Sequence, residues 1–318
     1  MKAIKLAFLL TIINLTATAQ QYVAQHLTPP KTYWQSFGYQ KQPDHVQTVQ
    51  YKSDSLGYEP TTVLVKSFNK DGFLIQDYAR VLGNFASETA HNYVYKNGVL
   101  DSINTVTTNK DFNGTQKLHY DEKGNLIRII STGKYTEYTD MFTYYEDGMV
   151  KTIQRKYKDG RGTLTTTFDH RKNVVTETDK RTNGKTLTKN YMYNGDDLFA
   201  RIDDKNTIRF HNIYHNYDFE VQAEGDALQY AIEKRRQFQQ DEQYLGKLSE
   251  EKNGKIVFDI PAVSRNENGD IIRQLQLDKT NSQTRRRLWF SKYVYADGTT
   301  SGSTDYDIIF GKRVEKLK

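Results

Sequence analysis

Tyr120-Asp121-Glu122-Lys123-Gly124-Asn125-Leu126-Ile127 holds a turn between two strands, and its reading decides the fold. Tyr120 ends one strand, Asp121 and Gly124 shape the turn, and Leu126 opens the next strand beside the aromatic ring. Glycine after Asp, Asn or Lys supplies the positive φ that a two-residue hairpin turn demands. Related copies of this aromatic-x-x-x-Gly-x-apolar unit recur. They are Phe68-Asn69-Lys70-Asp71-Gly72-Phe73-Leu74, Tyr144-Tyr145-Glu146-Asp147-Gly148-Met149-Val150 and Asn266-Glu267-Asn268-Gly269-Asp270-Ile271-Ile272. Tyr95-Lys96-Asn97-Gly98-Val99-Leu100 is a shortened form, and a copy starting at Phe168-Asp169 lacks its glycine.

Eleven of the twenty glycines stand in such pairs: Gly72, Gly98, Gly114, Gly124, Gly148, Gly160, Gly184, Gly195, Gly254, Gly269 and Gly298. Weaker turn signals at Gly83-Asn84, Thr132-Gly133-Lys134, Arg171-Lys172-Asn173 and Asp203-Asp204-Lys205-Asn206 fill the gaps, so most steps are 9 to 16 residues. Such spacing leaves about eight residues per strand and no room for a helical crossover, so neighbouring strands must be antiparallel. Leu126, Arg128 and Ile130 alternate with their neighbours as a strand does, and 163–168 and 174–178 are rich in β-branched residues. The fold class is all-β: an antiparallel meander of repeated hairpins. About thirteen strands at ~4.8 Å make a sheet on the order of 60 Å wide, which should curl or fold into two layers. One segment departs from this pattern. Ala227, Leu228, Ala231 and Ile232 fall at helical spacing, which predicts one helix near 226–244.

The first residues read as an export signal: Lys2 and Lys5, an apolar run over 6–15, and Ala17-Thr18-Ala19 before the cut. The expected organisation is a signal peptide at 1–19 and a lead-in segment at 20–60 with four of the five prolines. A β-repeat sheet over 61–222, a helical connector at 223–247 and a C-terminal β segment at 248–318 continuing the sheet complete it. No cysteine occurs, which excludes disulfides, thiolate metal sites and lipoprotein attachment. No later stretch is long enough to anchor the exported chain as a transmembrane helix. The expected location is periplasmic or extracellular. Net charge is +6, or +4 without Lys2 and Lys5, and the 26% charged residues are mixed in sign, so nucleic acid is not an expected partner.

The 120–127 unit resembles the tyrosine-aspartate (YD) repeats of RHS-type bacterial cell-envelope proteins. Tyr120, Asp121, Gly124, Asn125 and Leu126 match that repeat. The resemblance spans about 62–210, with fainter echoes at 263–273 and 293–298. Large members of that family resemble closed β-shells around a toxin. This chain is short for such a shell and has no Asp-Pro junction. What the resemblance implies is a repeat architecture in an envelope or surface setting, with an accessory role in a secreted toxin system as one alternative.

Residue types that would carry chemistry are sparse. His211 and His215 would lie about 13 Å apart on a strand, too far to share an ion. No nucleophile elbow, phosphate loop or dinucleotide fingerprint occurs, and no cofactor or metal ligand set is expected. The functional lead is the 23 tyrosines. Tyr135, Tyr138, Tyr145, Tyr191 and Tyr193, with Trp289 and Arg287, form the candidate binding surface. Exposed aromatics on a sheet stack sugars or pack a protein partner. The expectation is a non-enzymatic binding or scaffolding module whose partner is an envelope protein or glycan, with a carbohydrate-binding module or carbohydrate-active enzyme as the other alternative. The oligomeric state is not encoded in any of these features.

Overall fold

The computed structural model describes residues 27–54, 57–84, 86–135, 137–194, 197–203, 207–212, 217–222, 247–252, 255–261, 263–280 and 283–308. The export signal and the helix predicted at 226–244 lie outside them. Among the described residues the strands are β1 (Pro43–Asp54), β2 (Gly57–Phe68), β3 (Leu74–Val81), β4 (Ser87–Lys96), β5 (Val99–Thr107), β6 (Gly114–Tyr120) and β7 (Leu126–Gly133). They continue as β8 (Tyr138–Tyr144), β9 (Val150–Tyr157), β10 (Gly162–Phe168), β11 (Val174–Arg181), β12 (Thr186–Asn194), β13 (Asp197–Asp203), β14 (Thr207–Asn212) and β15 (Tyr217–Gln222). After them come β16 (Lys247–Lys252), β17 (Lys255–Pro261), β18 (Val263–Arg265), β19 (Ile271–Thr280), β20 (Gln283–Tyr295) and β21 (Thr300–Gly302).

Nineteen of these strands form one antiparallel sheet, and β16 and β17 pair separately. From β2 to β15 each strand pairs with its successor. On the other side of β2 the order is β1, β20, β19 and β18, with β21 beside the end of β20. The lead-in segment therefore holds a central strand, because β1 lies between β2 and β20. Among the described residues no ladder joins the outer strands β15 and β18, so the sheet is open.

The turns differ from the two-residue loops expected of their sequence. Asn97-Gly98 does close in two residues, with φ of 52° and 77°. In the Tyr120 repeat, however, Gly124 N donates to Asp121 O at 3.0 Å and Asp121 N donates to Asn125 O at 2.9 Å. That is a three-residue loop, a type I turn followed by a left-handed residue, here Gly124 with φ 83°. The same bond pair recurs at Asn69, Tyr145, Asp169, Arg181, Asn266 and Tyr295. At Asp169 the left-handed position is filled by Lys172, φ 69°, where the repeat lacks its glycine. Asn113-Gly114 is not a tight turn: it follows the 3₁₀ turn Lys110–Phe112, and Gly114 opens β6.

A bulge follows the turn in six of the repeats and changes which residues face the core. Tyr120 pairs with Leu126 but His119 with Arg128, so Ile127 has no partner. The bulge puts Leu126 in the same apolar cluster as Ile129, in place of the simple Leu126–Arg128–Ile130 alternation expected. Equivalent shifts sit at Ile75, Asp101, Lys151, Val175 and Ile272.

Tyrosines then tie three of the repeats to the one before. The hydroxyls of Tyr95, Tyr120 and Tyr144 donate to the carbonyls of Leu74, Leu100 and Leu126, at 2.9, 2.8 and 2.6 Å. Each acceptor lies beside a bulge, where ladder pairing is interrupted. Burial raises the pKa of all three phenols, which keeps them as donors.

The sheet is curled, and residues 27–32 lie across its concave side. Leu27 N donates to Thr166 Oγ1 on β10, while Thr32 O accepts from Leu74 N at the start of β3. Seven strand steps separate β3 from β10, about 34 Å on a flat sheet. Six residues reach at most about 20 Å. The strap therefore marks a chord of a bent sheet. Leu27 is buried and belongs to the same apolar cluster as Leu100, Ile103, Leu118, Ile129, Phe142 and Ile153.

Candidate binding surface

From β2 to β11 the register assigns each paired residue to the concave face, which the strap crosses, or to the convex face. The concave face is filled. Apolar pairs Tyr93–Ile103, Leu118–Ile129 and Phe142–Ile153 occupy one position in three successive repeats. Charged and polar groups take other inward positions. Lys66 Nζ meets Asp77 Oδ2 at 2.5 Å, and Lys189 Nζ meets Glu177 Oε1 at 2.7 Å. Arg155 grips Asp140 with two bonds of 2.8 and 2.9 Å and covers the Tyr138 ring at 3.6 Å. Bidentate pairing of this kind compensates part of the desolvation that a buried carboxylate incurs. Next to β1, β2 and β20 a cavity of about 50 Å³ is lined by Phe37, Tyr39, Thr48, Gln274, Trp289 and Tyr293. It has room for water rather than for a sugar ring.

The seven candidate residues do not form one exposed row. Tyr191 and Trp289 are buried on the concave side, and Tyr138 lies there under Arg155. Arg287 is half-buried two residues before Trp289. Tyr193 belongs to β12, and its side chain lies outside the described residues. Tyr145 and Tyr135 stand at opposite ends of the strands. Tyr145 stacks on His170 at 4.0 Å and donates to Phe168 O at 2.8 Å, with His170 Nδ1 held 2.8 Å from Asp147 Oδ2. Tyr135 is 49% exposed and lies 5.3 Å from Phe112, with Lys134 Nζ above its ring and bonded to Asp111. Among the turn glycines, Gly72, Gly98, Gly124, Gly148, Gly160, Gly184, Gly269 and Gly298 have φ between 77° and 89°, and Gly195 lies outside the described residues.

The convex face of β8 to β12 carries a feature that aromatic counting missed. Cross-strand register lines up Thr143, Thr152, Thr167, Thr176 and Asn190 in one row. Met141, Gln154, Thr165, Thr178 and Thr188 form the next, and Thr139, Lys156, Thr163, Lys180 and Thr186 the third. All are exposed or half-buried. Some hydroxyls already bond within the grid, as Thr143 does with Thr152 at 2.6 Å. The signal was present in the β-branched runs at 163–168 and 174–178, but it reads as strand propensity until register aligns the strands.

Among the described residues no helix is long and apolar enough to cross a membrane. No protein-family model matches the chain, and no curated protein matches it. Among solved structures it is similar to a porin-like protein from Bacteroides uniformis, at 12% identity over 80% of this chain and 97% of that one, TM-score 0.34. It is also similar to a chain of the TcdB2-TccC3-TEV structure, at 12% identity over 94% of this chain and 15% of that one, TM-score 0.26. A third likeness is to TcdB2-TccC3 without its hypervariable C-terminal region, at 11% identity over 80% and 18%, TM-score 0.29. With TM-scores of 0.34 and below, these likenesses carry no argument about function.

Proposed function

We propose that this chain is an exported, non-enzymatic β-repeat protein of the YD-repeat kind, and that it binds a glycan-bearing partner at the bacterial envelope through the convex face of β8 to β12. The observation that carries this reading is the threonine grid. Each hydroxyl offers one donor and two acceptor sites. The grid repeats at ~4.8 Å across strands and ~6.8 Å along them, which suits a polymer whose own hydroxyls repeat. Lys156 and Lys180 add positive charge for acidic sugars. The concave face, by contrast, is taken up by the strap, the apolar pairs and the ion pairs.

The test is a glycan array and an envelope-fraction pull-down with the wild type and with Thr165→Glu/Thr178→Glu. The double variant should lose at least tenfold in binding while its far-UV circular dichroism is unchanged. Binding that survives the double change removes the convex face as the surface. No capture of any glycan by the wild type defeats the reading itself. A second reading rests on Tyr135, whose exposed ring beside Phe112 and the Lys134–Asp111 pair is a small sugar-stacking platform. If it is the site, Tyr135→Ala abolishes capture and the threonine variants do not.

A further inference from the structure

We propose that Lys66 and Asp77 are joined by an intramolecular amide bond between Lys66 Nζ and Asp77 Cγ, formed by the folded protein without another enzyme. The two residues face each other across β2 and β3, with Nζ 2.5 Å from Oδ2. They occupy the repeat position held elsewhere by Tyr93–Ile103, Leu118–Ile129 and Phe142–Ile153, so a charged pair replaces a core apolar pair. Their side chains are only 9% and 7% exposed. Other cross-strand lysine–carboxylate pairs lack that enclosure: Lys189 opposite Glu177 is 37% exposed and Lys117 beside Asp101 is 45% exposed. The Phe37 ring lies 5.2 Å from Lys66 Nζ. Asp77 Oδ1 has no hydrogen-bond partner.

A buried ion pair gains by becoming neutral when its desolvation exceeds its attraction. Proton transfer from the ammonium to Oδ2 gives an amine and a carboxylic acid in contact. The Nζ lone pair then attacks Cγ, and Oδ1 carries the charge of the tetrahedral intermediate. Collapse re-forms the Cγ–Oδ1 carbonyl and breaks the Cγ–Oδ2 bond. Oδ2 leaves as water with its own hydrogen and one from Nζ, so the step needs no oxidant or co-reactant.

His91, opposite Asp77 on β4, is placed to shuttle that last proton. Its Nδ1 lies 2.8 Å from Thr105 Oγ1. With Nδ1–H donated there, Nε2 is the basic nitrogen. Burial lowers the His91 pKa, so the ring is neutral at neutral pH and able to accept a proton. In a chain without cysteine, the product would act as the covalent staple that a disulfide supplies elsewhere.

Mass spectrometry of the full chain under denaturing conditions decides the matter. The wild type should weigh one water less than its sequence requires. Trypsin cuts after Lys70 between the two residues, yet the 53–70 and 71–80 peptides should stay joined. Lys66→Arg should restore the full mass and separate the peptides, and His91→Phe should leave a large fraction unlinked in freshly purified protein. A wild type of full mass with separate peptides overturns the proposal. So does a water deficit that persists in Lys66→Arg. Complete linkage in His91→Phe removes the shuttle assigned to His91.

Discussion

A tyrosine hydroxyl is the smallest unit of order here, and its worth can be measured. Tyr120 donates to Leu100 O, a carbonyl beside a bulge. Tyr120→Phe keeps the ring but leaves that acceptor without its donor, so equilibrium urea unfolding should show a loss of about 1 kcal/mol. An unchanged midpoint would mean that water replaces the hydroxyl at no cost. The tyrosine of the repeat was legible in the sequence as a strand-ending aromatic. Its reach back to the previous repeat was not, because Leu100 is twenty residues away. The residues that sequence reasoning placed in an exposed row separate for the same reason. Tyr138 and Tyr191 lie on strands whose register turns them inward, whereas Tyr135 lies in the turn between β7 and β8 and stays exposed.

The repeat hairpin, the next scale up, couples turn chemistry to strand register. Asp121 Oδ1 accepts from Lys123 N and Asn125 N, at 2.9 and 2.8 Å, and Asn125 Nδ2 donates to Oδ2 at 2.9 Å. The Asn125 side chain first, then its backbone N–H, holds the Asp121 carboxyl below its usual range. A folded-state pKa below the unfolded value of about 3.9 means a stabilisation complete above that value and lost as pH falls toward the folded pKa. Denaturation midpoints measured down through pH 4 should therefore fall more steeply in the wild type than in Asp121→Asn. Parallel pH profiles would show that the turn does not depend on the carboxylate. The existence and antiparallel sense of these hairpins were readable from glycine spacing alone. The bulge at Ile127 was not, since one unpaired residue leaves the composition of β7 unchanged while moving Leu126 to the face of Ile129. The same shift hides Asp77 and Glu177, which read as surface charges until the bulge turns them inward.

At the scale of the whole molecule, a strap spans seven strand steps of the curled sheet, and Leu27 is its anchor. Leu27→Ala should cost about 2–3 kcal/mol through the cavity it leaves. Small-angle scattering should also show a larger radius of gyration as the sheet relaxes. A smaller loss with unchanged dimensions would mean that sheet twist alone sustains the curl. A wide antiparallel sheet was predictable from the turn count, though about thirteen strands were expected and nineteen share the sheet; the strap was not, because nothing local in 27–32 encodes a partner at Thr166. The placement of β1 between β2 and β20 has a consequence in time. Thr48 and Ser291, bonded at 2.9 Å, are 243 residues apart, and Leu27 and Thr166 are 139 apart. Contacts this distant form late, because loop closure must precede them. A chain folding from its N-terminus holds β1 with one edge unpaired until β20 arrives, and an unpaired edge is a template for another chain. The aggregation hazard is thus a matter of waiting time, set by the arrival of β20 rather than by the stability of the finished sheet.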